Sequence, residues 1–221
     1  MNLLQIRTKA RRKLDELTAK FWSDDELDDY INEAYRKIWQ LLIDNSYRKA
    51  LKTANLNLVA NTREVALPAD YVKTRLIEHL VGTIYYPCKY YERYDTPVGS
   101  DTSPSAAYGD QYSFAYSFLG DSIVFEPTPM NAETGTIRLT YFYIPDYLED
   151  DTDEPNIPSL YHDLFVLGCV IQAKEKEEMI GGGGASIAPF VSDYADLWDK
   201  FLNSISKQSQ QRTYSQAFGV Y

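Results

Sequence analysis

Apolar residues recur at spacings of three and four at both ends of this chain, and at every second position in its middle. Spacings of three and four mark one face of a helix, and a spacing of two marks one face of a strand. The order is therefore helices, strands, helices. Leu3, Ile6, Ala10, Leu14 and Leu17 share a face and predict a first helix over roughly residues 3–20. Ser23 ahead of Asp24, Asp25 and Glu26 has the pattern of a capping box with acids in the first turn, which starts a second helix. Leu27, Tyr30, Ile31, Ala34, Tyr35, Ile38, Trp39 and Leu42 form its wide apolar stripe. The connection at Phe21–Trp22 is short, so the two helices should pair as an antiparallel hairpin.

The period then changes. Leu56, Leu58, Val65 and Leu67 alternate with polar residues as strands do, with a turn at Asn61-Thr62 and a stop at Leu67-Pro68. Further strands are expected near 75–80, 83–91, 111–118, 122–126 and 136–144. Gly120-Asp121 signals a hairpin, and Gly82 and Gly135 are candidate turn points. Residues 95–110 are rich in Ser, Pro, Gly and Asp and read as a long loop. After the proline-bounded run 154–158, Ser159 caps a helix expected to reach Ile180. Leu164, Phe165, Leu167, Val170 and Ile171 make that helix apolar on most sides, so it should be the central one. Gly181–Gly184 reads as its terminator, with a phosphate cradle as the weaker alternative. A last helix carries Phe190, Tyr194, Leu197, Trp198, Phe201 and Ile205 at helical spacing. Beyond Lys207 the pattern dissolves into Gln, Ser and scattered aromatics that cannot bury a core.

The expected fold class is α+β. N- and C-terminal helices (1–48 and 157–206) form a bundle, an antiparallel β-rich region (49–156) is inserted, and an extended tail (207–221) follows. The chain's 221 residues suffice for one domain or for two lobes sharing a core.

The formal net charge of -10 argues against a basic nucleic-acid binder. That charge is uneven, because residues 1–20 are net +4 and the rest is therefore net -14. Arg7, Arg11, Arg12 and Lys13 on the first helix are accordingly interface candidates, toward an acidic neighbour or another copy. A solvated helix face is the plainer reading. The 19 tyrosines suit either a partly wet interface or a Tyr-rich sheet. The N-terminus lacks the apolar core and cleavage site of a signal peptide, and no apolar run is long enough to span a bilayer. Cys88 and Cys169 are isolated, which suggests neither a disulfide framework nor a zinc pattern and fits folding in a reducing cytoplasm.

Convergent reactive groups are not evident. His79 sits in an expected strand, and His162 sits beside Asp163 at a helix start, where a structural role is the usual one. No nucleophile elbow is present. The acidic run Asp146, Glu149, Asp150, Asp151, Asp153, Glu154 lacks the EF-hand glycine and terminal glutamate, so a solvated loop is favoured over a calcium site. Such acids also suit the wall of a DNA conduit, where they repel phosphate; Asp150, Asp151, Asp153 and Glu154 are channel-lining candidates. No cofactor, metal or catalytic residue is assigned.

The order of these signals carries a resemblance. A basic amphipathic helix leads to Phe21-Trp22-Ser23-Asp24-Asp25-Glu26-Leu27 and Tyr30-Ile31-Asn32-Glu33-Ala34-Tyr35. The run from Ala60 to Tyr71 follows, ANTREVALPADY, then Phe125-Glu126-Pro127-Thr128-Pro129 and Ile157-Pro158-Ser159-Leu160-Tyr161-His162-Asp163. Over about residues 3–203 the chain resembles the head-to-tail adaptor, or connector, proteins of tailed bacteriophages. The resemblance implies a non-enzymatic structural protein of the virion neck, assembled in the host bacterial cytoplasm. It implies a ring, usually a dodecamer, below the portal protein and in contact with tail or nozzle proteins. Double-stranded DNA passes through such a ring without specific binding, and no membrane is involved. It transfers no active site, and the loop at 95–110 and the glycines at 181–184 have no match in it. Tyr214, Phe218 and Tyr221 in the uncored tail are candidate anchors on the portal or an adjacent subunit. The competing readings are a tail-tube or neck ring protein away from the portal, a hydrolase with a spatially assembled site, and a carbohydrate-binding module on a Tyr-rich sheet.

Overall fold

In a computed structural model, residues 1–16, 21–91, 114–126, 128–179 and 186–217 are described, with side chains of the last helix described through Ile205. The chain divides into two compact units, 1–50 with 145–221, and 51–144. The class is α+β, with the N- and C-terminal helices packing together and the sheets between them in sequence.

The helical unit contains α1 (Leu3–Lys13), α2 (Asp24–Asp44), α3 (Asp163–Met179) and α4 (Ala188–Ala217). Asn2 caps α1, accepting from the Gln5 N–H while the Gln5 side chain accepts from the Asn2 N–H. The helix stops at Lys13, short of the expected 20, because Asp15 adopts a left-handed φ of 57° and a left-handed residue cannot continue the helix. Ser23 caps α2 through its bond from the Glu26 N–H. A single 3₁₀ turn, Ser159–Tyr161, precedes α3.

The α3 helix buries residues on every side, Leu164, Phe165, Val166, Cys169, Val170 and Ala173 among them, and packs against α1, α2 and α4. Its first two turns, residues 164–170, have no polar face to turn outward and so take the centre, while Glu175 and Glu178 farther along are exposed. Tyr35 of α2 stands edge-on to Phe165 at 5.6 Å and to Trp39 at 5.7 Å. The last helix continues to Ala217, so 207–217 is helical where the sequence suggested an extended tail. Gln is the commonest residue there, joined by Lys207, Arg212 and Ala217, and these good helix formers prolong a helix already nucleated by buried residues. The acidic stretch 146–154 folds with the helices, not with the strands.

The second unit holds two four-stranded sheets. In the first, β1 (Leu51–Leu58) pairs with β8 (Glu133–Tyr143), β8 with β3 (Tyr71–Val81), and β3 with β4 (Ile84–Pro87). In the second, β2 (Glu64–Ala66) pairs with β7 (Ser122–Glu126), β7 with β6 (Ala115–Leu119), and β6 with β5 (Lys89–Tyr90). All pairs are antiparallel except the short β5–β6 pair. Leu58, Ile77, Ile137, Leu139 and Tyr141 from one sheet meet Ile123 and Phe125 from the other in a shared core. Gly82 and Gly120 turn the β3–β4 and β6–β7 hairpins with positive φ, as the tight two-residue turns require. Gly135 is not a turn. It lies inside β8 at φ 67°, where the β1–β8 register shifts. The expected loop at 95–110 and the glycines 181–184 lie outside the described residues.

Candidate interaction surface

The basic residues of α1 divide by what they touch. Helix α1 ends in Arg11, Arg12 and Lys13, and α2 begins in Asp24, Asp25 and Glu26. Each set complements its own helix dipole. Antiparallel packing also sets the first against the second. Arg11 is buried, with its Nε 3.0 Å and Nη2 2.6 Å from Asp24 Oδ1, and Nη2 also donates to the Trp22 carbonyl. Arg7, whose side chain is 12% exposed, donates to both Asp28 and Asp151. Lys9 reaches Asp163 on α3 at 2.6 Å. The pairing has a sequence signal that periodicity of apolar residues overlooks: Arg7 and Arg11 are four apart, as are Asp24 and Asp28.

Burial raises the Asp28 carboxyl above its ordinary value, with Arg7 pulling it back down. The Arg7 guanidinium, although partly desolvated, is held more firmly charged by Asp28 and Asp151. At Asp28 desolvation thus outweighs the attraction of its partner.

The acidic segment is part of this network. The Leu3 N–H donates to the Asp153 carbonyl and the Leu4 N–H to the Asp151 carbonyl, so the segment straps the start of α1. The Asp153 carboxylate accepts from the backbone N–H groups of Asp150 and Glu149, which hold it below the usual carboxylate value. Asp151, although exposed, is engaged by Arg7; Asp150 and Glu154 are exposed as well. Asn32, buried on α2, donates to the Leu148 carbonyl and accepts from the Leu148 N–H. Arg12 and Lys13 remain exposed; Lys13 Nζ lies 5.7 Å from the Phe190 ring centre. Tyr214, Phe218 and Tyr221 fall among the side chains that are not described.

Each histidine has a structural partner. His162 is buried, and its Nδ1 accepts from the Met1 ammonium at 2.7 Å. Its Nε2–H then donates to the Ile157 carbonyl at 2.9 Å, which defines one neutral tautomer. His79 pairs with Glu133 at 3.1 Å and stands edge-on to Phe114. Burial pushes both thiols, Cys88 and Cys169, up to about 12, far from the thiolate a nucleophile needs. Among the described residues no group of three or more His, Cys, Asp or Glu is placed to hold a metal, and no helix is long and apolar enough to cross a membrane. Tyr90, Tyr116 and Phe118 cluster on β5 and β6, with Tyr116 edge-on to both neighbours. Tyr90 and Phe118 are exposed, and their own planes are tilted by 31° at 6.3 Å.

A family model described as SU10 adaptor protein matches residues 1–220. No curated protein matches the chain.

Proposed function

The chain belongs to the SU10 adaptor protein family of phage head–tail adaptors, and from that premise we propose that it forms a ring, a dodecamer, below the portal protein in the virion neck. There it joins capsid to tail or nozzle proteins, and DNA passes through its centre. The observation that carries this reading is the extent of the match, which takes in both the helices and the strands. The family is structural, and the structural contacts of His79 and His162 and the burial of both thiols support a non-enzymatic reading.

The exposed Asp150 and Glu154 are the members of the acidic run we place on the channel wall, where they repel phosphate and keep DNA from sticking. Asp151 and Asp153 contribute by fixing the strap that carries them. Tyr214, Phe218 and Tyr221 serve as anchors on the portal or the adjacent subunit.

A reconstruction of the virion neck tests the placement directly. Density for this chain within a ring touching the portal is the expected result, and a ring lying wholly within the tail would overturn it. Deleting 207–221 tests the anchors. Ile205 is the last buried residue among those described, and the truncated protein keeps every described core side chain, so it should melt as the full chain does yet lose co-sedimentation with portal-bearing capsids. Unchanged co-sedimentation would remove the anchoring role.

A further inference from the structure

Two helices of the helical unit each present an exposed ridge of residues four apart, and the two ridges match. On α1 the ridge is Leu4, Thr8 and Arg12; Leu4 is 45% exposed and the other two are exposed as well. On α4 it is Val191, Ala195 and Asp199; Val191 is 46% exposed and the other two are again exposed. Read in the same direction, each ridge runs from aliphatic through small to charged, and the charges are opposite. Each covers eight residues of rise, about 12 Å. Rows of residues four apart are the ridges that interlock in the commonest helix packing. Because all six side chains face solvent, neither ridge is occupied by the other within one chain.

Most of the surrounding charges favour the same match: Lys13 is exposed beside Arg12, and Asp193 and Asp196 are exposed on α4, with Asp15 and Lys200 the exposed neighbours of opposite sign. Arg7 and Arg11 are held by Asp24, Asp28 and Asp151, so Arg12 and Lys13 carry the positive charge that α1 offers outward. The apolar stripe of α4 is also incompletely covered, since Tyr194, Leu197, Trp198 and Leu202 are only half-buried beside the fully buried Phe201 and Ile205.

We propose that α4 of one copy docks in parallel on α1 of a second copy, with Val191 on Leu4, Ala195 on Thr8, and Asp199 paired to Arg12. The two faces are different surfaces of the same chain, so the contact is head-to-tail. A docked pair keeps one face of each kind free, one on each copy, so repetition closes a ring or extends a filament. This deepens the ring reading above and rests on it for its setting in the virion. The small residues at the centre let the helices approach closely, while the charged ends fix the direction of docking.

The test is cross-linking between full-length variants with a short bis-maleimide, the native thiols being buried. A mixture of Thr8→Cys with Ala195→Cys should give a covalent dimer, and each variant alone should not. High salt should lower the yield several-fold, because Arg12 and Asp199 are exposed and screened. Adding Asp199→Arg to the Ala195→Cys variant should abolish it, and adding Arg12→Asp to the Thr8→Cys partner should restore it. Absence of dimer would overturn the contact. So would equal yield from Thr8→Cys mixed with Gln40→Cys, an exposed site on α2. Wild-type protein that still co-sediments with portal-bearing capsids while this dimer is absent leaves the adaptor role standing without this contact. The dimer without co-sedimentation leaves the contact standing without that role.

Discussion

Gly168 of α3 faces Ala34 of α2 so closely that a Cβ built on Gly168 would lie 2.9 Å from the Ala34 Cβ. The methyl of Ala34 is fixed to its backbone and cannot swing aside, so the contact sets how near the two helices approach. Tyr194 of α4 closes the other side, 3.8 Å from the same point.

Gly168→Ala should therefore destabilise the protein although alanine is the better helix former. Propensity favours the change by about 1 kcal/mol. Overpacking a fitted core costs about 1–3 kcal/mol. The expected net loss is about 0–2 kcal/mol in urea unfolding, toward the upper end because the Ala34 methyl cannot move aside, with separation of α3 from α2 as the cause. In an Ala34→Gly background the same substitution should cost less or become favourable. Equal cost in both backgrounds would mean the strain arises elsewhere.

Neither the closeness of that pair nor its partner could be read from the sequence, because periodicity shows which face is buried and not what the face meets. Where a local signal decides the structure, the reading holds: Ser23 caps α2, Gly120-Asp121 turns a hairpin, and the all-round apolar run from Leu164 becomes the central helix. Where backbone conformation overrides apolar spacing, it fails. Leu14 and Leu17 continue the α1 pattern, yet Asp15 turns left-handed between them. At the other end, 207–217 stays helical without any apolar face, since helix propagation needs no core. Among the candidate site residues, the net charge of α1 was legible, whereas its division lay only in the matching spacing of Arg7 and Arg11 with Asp24 and Asp28, which apolar periodicity does not show. Arg7 and Arg11 face acids four apart on the neighbouring helix, and only Arg12 and Lys13 are left outward.

Removing Arg7 should expose the cost of burying Asp28. Arg7→Ala leaves that carboxylate largely desolvated and without its guanidinium, and one Asp28 oxygen already lacks a partner. Breaking a buried pair costs about 3–5 kcal/mol. Asp28 keeps 20% side-chain exposure, so a loss of about 2–3 kcal/mol is expected at pH 7. Burial already raises the Asp28 carboxyl, and loss of Arg7 raises it further. A carboxyl raised on folding costs stability above its folded value and ceases to do so once protonated. The penalty of Arg7→Ala should thus shrink as pH falls toward 4, and Asp28→Asn in the same chain should recover part of it at pH 7. A penalty independent of pH would show that lost packing of the arginine stem, not the charge, is responsible.

Acid should loosen the junction where α1, the 155–158 segment and α3 meet. Burial depresses His162 below its ordinary value; the Ile157 carbonyl opposes this, and the Met1 ammonium reinforces it. A depressed histidine contributes stability that is complete above the unfolded value of about 6.5 and is lost as pH falls below it toward the folded value. Protonation would also place a second positive charge against the ammonium. Melting temperature measured from pH 8 to pH 5 should fall more steeply for wild type than for His162→Gln, since other groups titrate alike in both. Parallel curves would show that His162 does not couple folding to protons in this range.

Gly135 holds the register between β1 and β8. Its N–H donates to the Asn57 side-chain oxygen at 2.7 Å, and its φ of 67° takes up the shift between Leu56 and Leu58. A Cβ there would meet only Asn55 Cβ at 3.9 Å, so space is not the constraint and conformation is. Gly135→Ala should cost about 1–2 kcal/mol, the strain of a left-handed residue bearing a Cβ. Gly135→Asn should cost less, because asparagine tolerates that region. Asn57→Ala removes the cap on the bulge and should cost about 0.5–1.5 kcal/mol. The alternative open to a strained β8 is to slip by one residue, which would turn Ile137, Leu139 and Tyr141 away from the core. Slippage should appear as lost amide protection along β1 and β8 in Gly135→Ala, with the β6–β7 hairpin still protected. Protection lost equally in both sheets would instead show that the unit unfolds as a whole when this position is strained.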